Sequence, residues 1–165
     1  MKTSKRLLVA VLALLPLAAG TAFADPEHGY TRIFTFGDSL SDPGNTFALT
    51  GETSHPPFEP IPLAAYGVGG HHFQDGRTWI EYLAQDMGLT DWAKPAFRDP
   101  AFGNFAVAYA PARPVSIAPP SFALQVQAWD AAGHCAGGSM DDALFVIEIG
   151  GIDVLAALEA AAQGQ

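Results

Sequence analysis

The 165 residues hold a single cysteine, Cys135. No disulfide can form within the chain, so whatever holds it folded must come from packing and hydrogen bonds. An odd thiol in an exported protein points to a bridge with a cysteine further downstream. A Cys135–His134 nucleophile pair is the weaker reading, because adjacent side chains seldom meet in productive geometry. Basic residues are also scarce, eight against seventeen acidic. That balance argues against nucleic acid as a partner and disfavours anionic substrates and anionic membrane surfaces. No Gly-x-Gly-x-x-G or Walker loop occurs, so a nucleotide cofactor has no support, and no cofactor of any kind is expected. No apolar run reaches the roughly 20 residues of a membrane span. Internal repeats, heptads and low-complexity tracts are missing, apart from an alanine-rich tail.

The N-terminus is laid out as a secretory signal. Lys2, Lys5 and Arg6 precede an apolar run from Leu7 to about Leu17, and Ala22-Phe23-Ala24 forms a small-x-small cleavage site. Residues 1–24 are expected to be removed, leaving 25–165 as one domain, secreted or periplasmic. Removal takes away three basic residues and no acidic ones, moving the net charge from −9 to −12.

Beyond the leader, apolar runs and helical periodicities alternate. Arg32–Phe36 reads as a strand, followed by a segment from Ser39 to Thr50 that could start a helix, with Ser41 or Asp42 as cap and Pro43 in the first turn. From Ser54 to His72 the density of proline and glycine predicts a long loop over the active face. Apolar residues at helical spacing from Thr78 to Met87, ending at Gly88, predict an amphipathic helix. Asn104–Ala110 reads as a second strand, Phe122–Trp129 as a helix capped by Ser121, and Ala143–Ile149 as a third strand closed by Gly150-Gly151. A helix follows from Val154. Strands alternating with helices mean α/β.

The most informative stretch is Phe34-Thr35-Phe36-Gly37-Asp38-Ser39-Leu40-Ser41-Asp42-Pro43-Gly44-Asn45, where an apolar strand ends abruptly in a Gly-Asp-Ser turn. Ligands of open α/β sheets collect just outside the strands' carboxyl ends, and Ser39 stands there. The local alternative is a serine that merely caps the following helix. Asp38, Asp42 and Asn45 read as braces of the turn rather than metal ligands, since the spacing of a calcium loop is absent. No metal site is expected. His71 and His72 read as exposed loop residues that could border the cleft, and His55 as a weaker candidate. Asp25-Pro26-Glu27-His28 matches an Asp-x-x-His spacing only by coincidence. The tryptophans and phenylalanines read as core.

Phe36–Asn45 resembles the first sequence block of the GDSL esterases and lipases, the SGNH hydrolases. Three later segments resemble that family in order: Phe73–Ala84 with its Gly76-Arg77 pair and Trp79, then Asn104–Ala110, then Val146–Asp153. The resemblance implies a three-layer α/β/α fold of flavodoxin type with a parallel sheet. It implies hydrolysis of a small-molecule ester or lipid through an acyl-enzyme on Ser39. It also implies an oxyanion hole built from the Ser39 N–H, a backbone N–H of the second block (here Ala108) and the third block around Gly151. Ile152 occupies the place of that block's asparagine and has nothing to donate. Asp153 is assigned a supporting role. The family's base is the histidine of an Asp-x-x-His pair past the third block, and the chain stops at Gln165 before it. The expectation is a domain incomplete on its C-terminal side and impaired or inactive as given, with a non-catalytic binding module on the same fold as the alternative. A metal-dependent hydrolase using the loop histidines is the more distant rival.

Overall fold

A computed structural model describes residues 29–51, 71–73, 76–114, 119–136 and 138–164. The leader, Asp25–His28, His55, most of the proline-rich loop and the Gln74-Asp75 pair lie outside the described residues.

Two parallel strands form the centre. β1 (Arg32–Gly37) pairs with β2 (Ala143–Glu148), in register from Arg32 opposite Ala143 to Gly37 opposite Glu148. β1 is buried along nearly its whole length, as its unbroken apolar run requires of a strand covered on both faces. Alternation sorts its side chains. Ile33 packs against Ile80 and Ala84 on one face, while Phe34 and Phe36 pack against Phe105 and Trp129 on the other. Ile80 and Ala84 belong to α2 (Trp79–Asp86), and Trp129 to α3 (Phe122–Ala131). Helices thus cover both sides of the sheet, and the α/β architecture is as expected.

α2 begins at Thr78, whose N–H and hydroxyl both donate to the Glu81 carboxylate at 2.7 and 2.9 Å. This reciprocal cap satisfies a helix terminus that would otherwise leave donors open. Gly88, at φ 70°, ends it as the sequence predicts. A 3-10 turn, Thr90–Ala93, follows. α4 (Gly151–Ala162) starts three residues earlier than expected, and no residue of it is buried. No helix of the described residues is long and apolar enough to cross a membrane.

The second strand does not form as read. Gly103–Val107 runs beside β1 and bonds to it: the Thr35 N–H donates to Gly103 O at 3.0 Å, Phe105 N–H to Thr35 O at 2.7 Å and Val107 N–H to Gly37 O at 3.1 Å. Only bridges at Asn104 are regular. The segment leaves strand geometry because its outward groups meet side chains rather than another strand. The Asn45 amide donates to both Asn104 O and Ala106 O at 2.8 Å, and the Ala106 N–H turns back to Asn104 Oδ1 at 2.9 Å. In space the order is second segment, β1, β2, the start of a flavodoxin-like arrangement.

The Ser39–Thr50 helix is shorter than expected. α1 covers only Asn45–Leu49, and Pro43 precedes it rather than sitting in its first turn.

Candidate active site

Ser39 lies in the turn directly after β1, half-buried, with no hydrogen bond from its hydroxyl to a described residue. The turn is built from both sides. The Asp38 N–H donates to Glu148 O at 3.3 Å, Leu40 N–H to Asp38 Oδ1 at 3.2 Å and Ser41 N–H to Asp38 O at 3.2 Å. Gly37 is obligatory here, because a Cβ would stand 2.5 Å from the Glu148 carbonyl oxygen. From below, Gln125 on α3 grips Gly37 through both ends of its side-chain amide.

Asp42 anchors the start of α1. It is wholly buried, and its carboxylate accepts the N–H groups of Gly44, Asn45, Thr46 and Ala108 together with the Thr46 hydroxyl. Burial pushes its carboxyl above the ordinary range, and the donors from Thr46, Gly44 and Ala108 pull it back. One carboxylate thereby caps the helix and fastens the Ala108 segment to the turn that carries Ser39. Asn45 completes the brace, its Oδ1 accepting the Phe97 N–H at 2.9 Å.

This anchoring corrects one expectation. The Ala108 N–H is not turned toward the cleft as an oxyanion donor; it points at Asp42 Oδ2, 3.0 Å away, with Thr46 Oγ1 at 2.9 Å. The next residue, Tyr109, is the one non-glycine at positive φ among the described residues, at 63°, and its ring meets Phe73 edge-on. A side chain stands there in backbone geometry that suits glycine.

The third block does reach the site. A Cβ on Gly151 would lie 3.4 Å from Asp38 Oδ2, so the first turn of α4 abuts the turn that carries Ser39. Ile152 follows, half-buried, without a polar group to offer. Asp153 accepts the N–H groups of Ala112 at 2.7 Å and Arg113 at 3.3 Å and lies 3.6 Å from Arg113 Nε. These contacts, the Ala112 N–H first, hold its carboxyl below the ordinary value. Asp153 therefore ties the segment just after the second block to the start of α4.

The described histidines are engaged elsewhere. His71 stacks on Phe47 with ring centroids 3.5 Å apart, and His134 meets Pro100 O at 2.9 Å. His72 is not exposed as expected but fully buried, its Nε2 2.8 Å from Glu81 Oε2, an ion-pair distance at which neither ring nitrogen is aligned for a hydrogen bond. Burial results from its place against the capped start of α2. No three His, Cys, Asp or Glu side chains among the described residues come together as a metal set. A cleft of about 260 Å³ lined by Pro43, Arg77, Glu81 and Lys94 lies nearby, and Ser39 is not among its lining residues.

Over residues 33–165 the sequence matches the model of the GDSL-like lipase/acylhydrolase family. The chain belongs to this family. Among curated relatives it is similar to a sinapine esterase of Brassica napus, 29% identical over 109 residues, 64% of this chain and 26% of that protein. Two GDSL esterases/lipases of Arabidopsis thaliana are similar over shorter stretches. One is 32% identical over 84 residues, 47% of this chain and 21% of the relative. The other is 38% identical over 66 residues, 39% of this chain and 18% of the relative. These matches span about a fifth to a quarter of the relatives' length.

Sequence reasoning overlooked Gln125 and Glu148 in this GDSL-family site, and read Ser41 only as a possible helix cap. Gln125 gave no signal, being one polar residue on a helix. Glu148 did give one: it is the only charge in the apolar run Ala143–Ile149.

Proposed function

We propose that this chain is an exported ester hydrolase domain in which Ser39 attacks the carbonyl of a small ester or lipid. The supporting observation is the convergence of three family blocks on one turn: Ser39 after β1, the Ala108 segment fastened through Asp42, and Gly151 against Asp38. In this reading the Ser39 Oγ–acyl bond forms as the alcohol leaves with a proton, and water then releases the acid. The tetrahedral oxyanion is met by the backbone N–H of Ser39 and by the N–H groups opening α4 at Gly151. Ile152 removes a side-chain donor, a loss of about 3–4 kcal/mol in transition-state stabilisation. The imidazoles of His71, His72 and His134 lie against Phe47, Glu81 and Pro100, so in this reading none of these three is the base for Ser39. The leader composition supports export, and the acidic balance supports a neutral or cationic ester.

Turnover of p-nitrophenyl butyrate tests this. A burst of nitrophenol that Ser39→Ala abolishes, and that Ile152→Asn increases, is the expected result. A second reading is favoured by the Ala108 N–H being taken by Asp42 and by Ile152: a binding module that keeps the scaffold without chemistry. No burst from the parent or from Ile152→Asn selects that reading.

A further inference from the structure

Glu148 ends β2 where its partner strand gives way to Asp38 and Ser39. It meets the turn that carries Ser39 twice, once through its side chain and once through its backbone. Oε2 accepts the Ser41 hydroxyl at 3.1 Å, and the Ser41 oxygen accepts the indole N–H of Trp79 at 3.0 Å, which carries the connection to α2. The Glu148 backbone oxygen also accepts the Asp38 N–H at 3.3 Å, and the Asp38 carboxyl, whose Oδ1 holds the Leu40 N–H, acts on the Glu148 carboxyl through its charge. Asp38, Leu40 and Ser41 enclose Ser39 in sequence, and all three belong to one network that ends on Glu148.

We infer that Glu148 is a positioning residue for Ser39: bonded to the Ser41 hydroxyl through its side chain and to the Asp38 N–H through its backbone, it sets the conformation of the turn that presents the serine hydroxyl. Its consequence for catalysis rests on Ser39 being the nucleophile; its effect on the turn does not.

Burial first, and the Asp38 charge second, push Glu148 above the ordinary carboxylate range, with the Ser41 hydroxyl opposing. Asp38 is the charged group that acts on it; α2 meets the network with the neutral Trp79 indole, and α4 with the Gly151 backbone beside Asp38. With Glu148 protonated the two carboxyl groups do not repel each other. Once the proton leaves, two negative charges face each other and the turn loosens.

Amide hydrogen exchange on the full chain tests the inference, followed residue by residue against pH after correction for intrinsic rates. Glu148→Gln keeps an acceptor for the Ser41 hydroxyl in Oε1 and does not titrate. Its Asp38–Ser41 amides should stay protected at every pH. Glu148→Ala should exchange those amides about ten-fold faster, the scale of one lost charged hydrogen bond, while α3 keeps its protection. The parent should pass from the first behaviour to the second as pH rises. A Gln variant that retains the parent's pH step overturns the inference, as does an Ala variant whose turn is as protected as the parent's or whose α3 loosens equally. Acylation by p-nitrophenyl butyrate on the same samples separates the two readings. Absent acylation with the exchange pattern intact removes the esterase and leaves Glu148 in its role, whereas acylation indifferent to Glu148→Ala removes the role.

Discussion

Gln125 and Gly37 exchange two hydrogen bonds in the interior: the Gly37 N–H donates to Gln125 Oε1 at 2.9 Å, and Gln125 Nε2 donates to Gly37 O at 2.9 Å. A side-chain amide here does the work of a neighbouring peptide group. It locks α3 to the last residue of β1, one step before the turn bearing Ser39.

Replacing that amide leaves buried backbone groups unpaired. Gln125→Leu, close in size, should lower unfolding free energy by about 3 kcal/mol, the scale of a buried pair left unsatisfied. Urea denaturation of parent and variant gives the figure, and a change under about 1 kcal/mol contradicts that role for Gln125.

Asp42 gathers four backbone donors and a hydroxyl around one buried carboxylate. Asp42→Asn turns an NH₂ toward these donors, of which, among the described residues, only the Ala108 N–H has a second acceptor, Thr46 Oγ1. The expected loss is about 3 kcal/mol, with amides among Gly44–Thr46 becoming exchangeable. Thermal unfolding together with hydrogen exchange checks both parts.

Tyr109 can be dissected by a pair of variants. Tyr109→Ala and Tyr109→Gly both lose the Phe73 contact, so their difference isolates the positive φ. Glycine should be more stable than alanine by about 1 kcal/mol. Equal stabilities would show that the backbone at 109 relaxes freely.

Asp153 carries a pH signature. Its folded carboxyl lies below the ordinary 3.8, held there chiefly by the Ala112 N–H. The folded state therefore binds this proton more weakly than the unfolded state does, and the resulting stability is present above 3.8 and lost as pH falls through the lower folded value. Asp153→Asn should flatten the acid limb of the urea midpoint against pH, leaving the neutral region little changed.

Much of the scaffold was legible from local pattern. The spacing of Trp79, Ile80 and Leu83 and the stop at Gly88 place α2, because a helix buries one face and ends where a left-handed residue is cheap. The apolar run of β2 and the Gly-Asp-Ser turn were equally plain. Asn104–Ala110 misled because its composition is that of a strand, while its hydrogen bonds are taken by Asn45 and Asp42, some sixty residues away in sequence.

The sequence alone determined the α/β alternation, the turn that carries Ser39 and the family, since each depends on neighbours a few residues apart and on their order. Only the tertiary structure decided that the Ala108 N–H serves Asp42, that His72 is buried beside Glu81, and that Glu148 meets Asp38 and Ser41. Those contacts join positions separated by about ten to over a hundred residues, and hydrogen-bond geometry between such positions exists only once the sheet and its helices have packed.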